Sequence, residues 1–325
     1  MRSVLSAGWH IDATALRYEA VGGGSYHWSA RDSQHRHWFV TVDDLDEKPW
    51  LGDTRTAVAK GLRAAMETAF ALRHRAGLAF VLAPIPSAQG EMIEAIGSKY
   101  AAAVFPFIAG SARRFGEELP GRERRKLVDM LAALHQATPI ATKAPRAQVS
   151  LPRRGDLEST LSELGRPWRG GPFAEPARAL LIGAAGQIRS LLDAFDRMTE
   201  QVTAAPGPVL THGEPHPANL IRSGTATMLI DWDTVGLGPP ERDLWMVVSD
   251  TGDEALRYTN ATGRAVDPVV LAFYRLRWGL DDLSCFAAEL RADHTRTPHT
   301  EHAWRALKTT LSVTLPPALP APSWP

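Results

Sequence analysis

The 325-residue chain predicts an α+β fold in two parts, a small β-rich N-terminal part and a larger, mostly helical C-terminal one. Three observations predict it. Short runs of alternating apolar and polar residues cluster before residue 105, a Pro-Phe-Ile-Ala-Gly connector occupies 106–110, and beyond it apolar residues recur at three- and four-residue spacing over long stretches. The expected boundaries are therefore 1–105 for the first lobe, 106–110 for a hinge, 111–314 for the helical lobe and 315–325 for a proline-rich tail.

The N-terminal elements follow in order. "LRYEAV", "YHWSA" and "HWFVTV" read as strands, the first two joined by a glycine turn at 22–24 and the last two by the polar "RDSQHR". A helix spans 54–76: Asp53 or Thr54 can cap it, Val58, Leu62, Met66, Ala69 and Phe70 form its apolar stripe, and Gly77 stops it. "LAFVLAPI" and "YAAAVFPFIAG" read as two further strands around a hairpin-like "SAQGEMIEAIGS".

Past the hinge, "RERRKLVDMLAALHQAT" keeps Leu127, Met130, Leu131 and Leu134 on one helix face, and "EPARALLIGAAGQIRSLLDAFDRMTEQV" is a long amphipathic helix. A short helix and exposed connector are expected in "LPRRGDLESTLSELGRPWRGGPF". The last helices come from "DPVVLAFYRLRWGLDDLSCFAAELRAD" and "EHAWRALKTTLSV". The tail "TLPPALPAPSWP" cannot continue a helix.

Composition narrows the function. Lys plus Arg equals Asp plus Glu at 36 each, and with no dense basic run the chain has no field to attract nucleic acid. A single cysteine, Cys285, excludes an internal disulfide framework. The start "MRSVLSAGWHID" lacks the apolar core of a signal peptide, and no apolar run approaches membrane-spanning length, so a cytoplasmic protein is expected.

The chemistry concentrates in "HGEPHPAN", residues 212–219, and in "MLIDWDTV" shortly after it. His212 and His216 have the four-residue gap of a helical zinc pair, but Pro215 and Pro217 forbid the helix and no further ligand cluster lies near. Phosphoryl transfer fits better. It needs a group to take the attacking hydroxyl's proton and oxygen donors for a metal. Glu214 and Asn219 have the five-residue offset of a kinase catalytic loop, with Asp231 following the short strand "TMLI".

The run "HGEPHPANLI…MLIDWDTVGLGPPERDLWMV" resembles the aminoglycoside phosphotransferase branch of the protein-kinase-like fold, and with "FPFIAG" it looks most similar to spectinomycin-type antibiotic kinases. Nearly the whole chain follows that family's order of elements. The resemblance implies a bilobal kinase-like fold with a nucleotide-binding N-lobe. It makes Glu214 the catalytic base, Asn219 and Asp231 magnesium ligands and Asp233 an assisting carboxylate. His212 becomes a brace for backbone carbonyls, and Asp243 a helix cap bonded to the catalytic-loop backbone. Trp232 and Trp245 are read as packing residues, and His216 is open between substrate contact and loop packing. At the hinge, the Pro106 carbonyl would receive the adenine amino group, the Ile108 N–H would meet a ring nitrogen, and Phe105 would back the pocket. Gly23, Gly24 and Ser25 would approach the phosphates through backbone amides.

Two residues depart from the family pattern. Glu214 stands where the family has Asp, which moves the carboxylate outward by roughly 1 Å, a shift that can cost rate. Thr41 stands on "HWFVTV" where the family places its phosphate-binding lysine. Lys48 is the leading candidate substitute and Lys60 the second, with Glu67 a candidate helix partner. The leading expectation is a kinase using ATP or GTP and Mg2+ to phosphorylate a hydroxyl of an antibiotic-like or natural-product small molecule. Glu241, Asp250, Asp281 and Asp282 are candidates to meet a cationic antibiotic. The alternative is a pseudokinase-like binding protein without phosphoryl transfer.

Overall fold

The computed structural model describes residues 1–21, 24–204 and 207–315. The predicted Gly23 and the tail from 316 onward lie outside them. The chain divides into two compact units, one made of 1–148 with 208–265, the other of 149–207 with 266–325.

The first unit is built on a five-stranded antiparallel sheet. Its strands are β1 (Ala13–Glu19), β2 (Ser25–Asp32), β3 (His37–Asp44), β4 (Glu94–Ile96) and β5 (Tyr100–Pro106), in the order β1-β2-β3-β5-β4. Side chains alternate across a strand, so one face of this sheet carries Ala30, Trp38, Val40, Val42, Ala102 and Val104. These pack with Leu5 and Trp9 of α1 (Arg2–Trp9) into a buried core. The other face carries Ser25 and His27 of β2 with Phe39, Thr41 and Asp43 of β3. The register sets Ser25 opposite Asp43 and His27 opposite Thr41.

Helix α2 (Arg55–His74) begins where the sequence predicts, with the Thr54 hydroxyl accepting from the Ala57 amide. Its stripe of Val58, Leu62, Met66 and Ala69 is buried. The rest of the unit comprises α3 (Gly121–Gln136), β6 (Val209–Thr211), a hairpin of β7 (Leu220–Ser223) and β8 (Ala226–Leu229), β9 (Gly236–Gly238), the short α6 (Glu241–Leu244) and α7 (Asp253–Thr262). β6 pairs with β9, which brings the loops on either side of residues 211 and 236 together.

The second unit is helical: α4 (Arg154–Ser162), α5 (Ala174–Ala204), α8 (Pro268–Arg291) and α9 (Pro298–Thr309). Leu157, Leu181, Ile188, Phe273, Leu276, Leu280, Leu283 and Leu307 bury their apolar stripes against one another. Phe195 stacks on Phe273 with ring centroids 5.0 Å apart.

Three local expectations are corrected. "LAFVLAPI" is not a strand. Val81 makes one parallel bridge to Leu229, and Ile85 donates to the Val104 carbonyl, while Pro84 removes an amide from any longer ladder. The fifth strand is instead β4, inside the segment read as a hairpin connector. The N-terminal residues, assigned no element from sequence, form α1, because Leu5 and Trp9 lie four apart and cover the sheet. Trp9 Nε1 also donates to the Ile85 carbonyl at 2.9 Å.

Leu62 is fully buried on α2. Leu62→Ala is expected to destabilise the first unit by about 2–5 kcal/mol, read as a lower denaturant midpoint with little change in slope.

Candidate active site

The loop 212–219 leaves β6 in a shape that its own residues impose. Gly213 has φ +103°, and a Cβ there would meet the Arg242 guanidinium. That guanidinium is fixed: Nη1 donates to Thr211 Oγ1 and Nη2 to the Thr234 carbonyl, both at 2.8 Å. Pro217 opens a single 3-10 turn over Pro217–Asn219, and the Asn219 carbonyl accepts from the Ile230 amide at 3.0 Å, so the loop is tied to the end of β8.

The next residue, Asp243, holds the loop's backbone. It is completely buried; Oδ2 accepts from the His212 amide at 2.8 Å and Oδ1 from the Gly213 amide at 2.6 Å. His135 of α3 brings Nε2 to 3.0 Å from Oδ2, and its Nδ1 lies 2.8 Å from the Tyr258 hydroxyl of α7. Burial alone would raise the Asp243 pKa, but the His135 hydrogen bond and charge, helped by Arg242, hold it below the usual aspartate range.

His212 braces two segments at once. Burial pushes its pKa down to about 4, so the ring is neutral near pH 7. Its Nδ1 accepts from the Glu214 amide at 3.2 Å, which leaves Nε2 as the protonated nitrogen, and that donates to the Ile230 carbonyl at 2.9 Å. Trp232, buried edge-on against this ring, packs as the sequence implies.

Around this loop the acids converge. Glu214 is about one-third exposed, with Oε2 3.8 Å from His216 Nε2. Burial, then the neighbouring His212, lowers the His216 pKa to about 4, so that contact is not an ion pair at neutral pH. Phe115, itself exposed, meets the His216 ring edge-on at 5.0 Å. Asn219 Nδ2 donates to the Glu214 carbonyl at 2.9 Å, which leaves its Oδ1 as the atom to meet a cation. Asp231 adopts φ +66°, an unusual conformation for a non-glycine residue. Its surface opens to solvent, yet it is ringed by protein. Burial raises its pKa well above the usual range, and Asp233, Glu214 and Asp43 add repulsion that Lys48 only partly offsets.

Lys48 enters from the turn after β3. It is 2% exposed, with Nζ 2.5 Å from Asp233 Oδ2 and 3.0 Å from Asp43 Oδ1. Burial alone would lower its pKa, but Asp233 and then Asp43 overcome that and lift it above the usual lysine value. Lys60 is exposed, and Glu67 pairs with Lys143 at 2.9 Å, so neither joins this group.

Among the described residues, no three His, Cys, Asp or Glu side chains gather closely enough to hold a metal by themselves. Asp231, Asp233 and Asn219 carry hard oxygen donors of the kind magnesium takes, and Asp233 Oδ2 is already paired with Lys48.

The other candidates are placed as follows. Gly24 has φ +78° just before β2, and Ser25 Oγ donates to Asp43 Oδ1 at 2.6 Å. Phe105 is buried, Pro106 ends β5 exposed, and Ile108 is half-buried beyond it. Glu241 is buried at the start of α6, and Asp250 is exposed. Asp281 and Asp282 lie on α8 in the other unit, where burial raises both pKa values, Asp282 to about 6. Sequence reasoning missed Asp43 and the His135–Tyr258 pair. The signal for Asp43 was an acid on alternation with Phe39 and Thr41, in a strand otherwise built to be buried.

A five-stranded antiparallel sheet followed by a mostly helical region, with the family match over residues 28–275, makes this a phosphotransferase of the protein-kinase-like fold, acting on an alcohol group. The chain belongs to the phosphotransferase enzyme family, whose sequence profile matches residues 28–275. It is 26% identical over 248 residues to Protein StrN of Streptomyces griseus, covering 73% of each chain. Its fold is similar to that of spectinomycin phosphotransferase APH(9)-Ia, solved with ADP and spectinomycin, at a TM-score of 0.74, 16% identity, and coverage of 98% of this chain and 97% of that one. A microcompartment-associated aminopropanol kinase matches at a TM-score of 0.64, with 15% identity over 96% and 95% of the two chains.

Asp243→Asn removes a charge on which two amides and His135 converge, and is expected to cost about 3–5 kcal/mol near neutral pH together with most activity. A carboxyl with a depressed folded pKa contributes stability that is complete above its unfolded value, about 3.9, and is lost as pH falls through the folded value. The difference between parent and variant should therefore shrink in urea titrations as the pH is lowered below about 4.

Proposed function

We propose that this small-molecule kinase transfers the γ-phosphate of ATP or GTP, with Mg2+, to a hydroxyl of an antibiotic-like or natural-product acceptor. The observation that carries this reading is the placement of one buried lysine, Lys48, among Asp43, Asp231 and Asp233 beside the Glu214–Asn219 loop. A β3 lysine would reach this region from Thr41, and Lys48 supplies the missing cation from the following turn.

In the proposed reaction Glu214 accepts the acceptor hydroxyl's proton as that oxygen bonds to the γ-phosphorus, and the bond to the β–γ bridging oxygen breaks to release nucleoside diphosphate. Lys48 binds phosphate oxygens and offsets their charge. Asp231 and Asn219 hold magnesium with Asp233 assisting, and the ion when bound neutralises charge on the β- and γ-phosphates. His212 and Asp243 keep the loop in register, as their hydrogen bonds to its backbone support. The Pro106 carbonyl and Ile108 amide read adenine, Phe105 backs it, and the amides of Gly24 and Ser25 meet phosphate.

One observation supports an acceptor with an apolar part: exposed Phe115 beside His216 offers an apolar edge next to Glu214. Of the candidate acids, exposed Asp250 is the one proposed to meet a cationic group on it; Glu241 is buried, and Asp281 and Asp282 belong to the other unit.

The test is nucleotide consumption across a panel of hydroxyl-bearing antibiotics and metabolites, with Asp231→Asn as the blank. One acceptor should turn over with Mg2+, and folded Asp231→Asn should be inactive; a fully active variant refutes the metal site. Glu214→Gln should lose turnover by about 10²-fold or more with nucleotide affinity little changed. Glu214→Asp should also be slow if the site is shaped around the longer side chain. Lys48→Ala should weaken nucleotide use, whereas Lys60→Ala should not.

A further inference from the structure

We infer that Asp43, at the end of β3, is the acid that positions Lys48, and that Ser25 ties the turn before β2 to the same carboxylate oxygen. This rests on the kinase reading of the recess and concerns how its phosphate-binding cation is held. In the family pattern that the sequence resembles, the lysine stands on the strand and its acid on the helix. Here the two have exchanged places: the acid is on the strand, two residues past Thr41 on the same face, and the lysine is on the segment that leads to α2.

Four observations carry the inference. Asp43 Oδ1 lies 3.0 Å from Lys48 Nζ and 2.6 Å from Ser25 Oγ, so one oxygen holds both donors. Asp43 is 5% and Lys48 2% exposed, which denies either charge water as a substitute partner. Glu67, the only acid on α2, is committed to Lys143.

The fourth concerns the backbone that carries the lysine. Its turn, Pro49–Leu51, lies so close to α2 that a Cβ on Gly61 would come within 2.6 Å of the Leu51 carbonyl oxygen. The Trp50 ring centroid lies 5.3 Å from Nζ. A lysine is flexible, so a fixed turn alone would leave the ammonium mobile; Asp43 anchors it from the sheet and Asp233 from the loop. Ser25 sits opposite Asp43 in the β2–β3 register, so its hydroxyl restrains the carboxylate's rotamer and couples it to the turn at Gly24.

The experiment measures MgATP affinity by calorimetry, which needs no acceptor, on the full chain and on Asp43→Asn, Lys48→Met, the double variant, Ser25→Ala and Glu67→Gln, each checked for folding by thermal melt. Asp43→Asn should weaken binding by about tenfold or more, and the double variant should bind no worse than Lys48→Met alone, because Asp43 acts through the lysine. Ser25→Ala should weaken binding by about two- to fivefold, and by nothing further in the Asp43→Asn background. Glu67→Gln should match the parent. Parent-like binding by Asp43→Asn, or additive losses in the double variant, overturns the inference. If Asp43→Asn does not fold, the decision falls to Ser25→Ala, and parent-like binding there overturns it. A parent that binds MgATP but phosphorylates no acceptor sinks the kinase reading while leaving the cycle readable; one that binds no nucleotide sinks both.

Discussion

The site depends on a single buried carboxylate. Asp243 accepts the amides of His212 and Gly213, whose partners would otherwise have to come from water that cannot reach them. Burying a carboxylate is unfavourable unless donors surround it, and here His135, backed by Tyr258, completes the set. Neighbouring Arg242 reaches the same loop from beneath through Thr211 and Thr234, at a distance only a glycine at 213 allows. The side-chain directions of Glu214 and Asn219 follow from this backbone, and through the Asn219–Ile230 hydrogen bond so does the start of the Asp231 segment.

Charge is the second constraint. Among the described residues, Asp233, Glu214 and Asp43 add repulsion at Asp231 and Lys48 offsets part of it, while His212 is neutral. The consequence is visible in Asp231, whose proton is held well above the normal range by burial and by its neighbours. Such an arrangement favours additional positive charge, which a divalent cation would supply. On the proposed reading the excess of acid is the attraction held ready for the metal ion.

Elements with strong local patterning were readable in advance: α2 with its Thr54 cap, the stripes of α3, α5 and α8, and strands β1 to β3 and β5. The failures share a cause. "LAFVLAPI" has a strand's composition, yet Pro84 and the competing call of β8 on the Phe80 and Leu82 backbone leave it a single bridge. The three residues of β4 carry no periodicity and exist because the edge of β5 offers a ladder.

Sequence by itself determined the class of chemistry, because the offsets among His212, Glu214, Asn219 and Asp231 lie in short segments where spacing translates directly into geometry. It also marked the gap at Thr41. It put Lys48 ahead of Lys60 as the candidate for that gap. What tertiary structure alone decided is which of the two is buried against acids, because Lys48 and Asp233 are 185 residues apart. Only the fold closes one of them against two buried carboxylates and leaves the other in water, since the sign and cost of a buried charge depend on partners that the chain brings together from far apart.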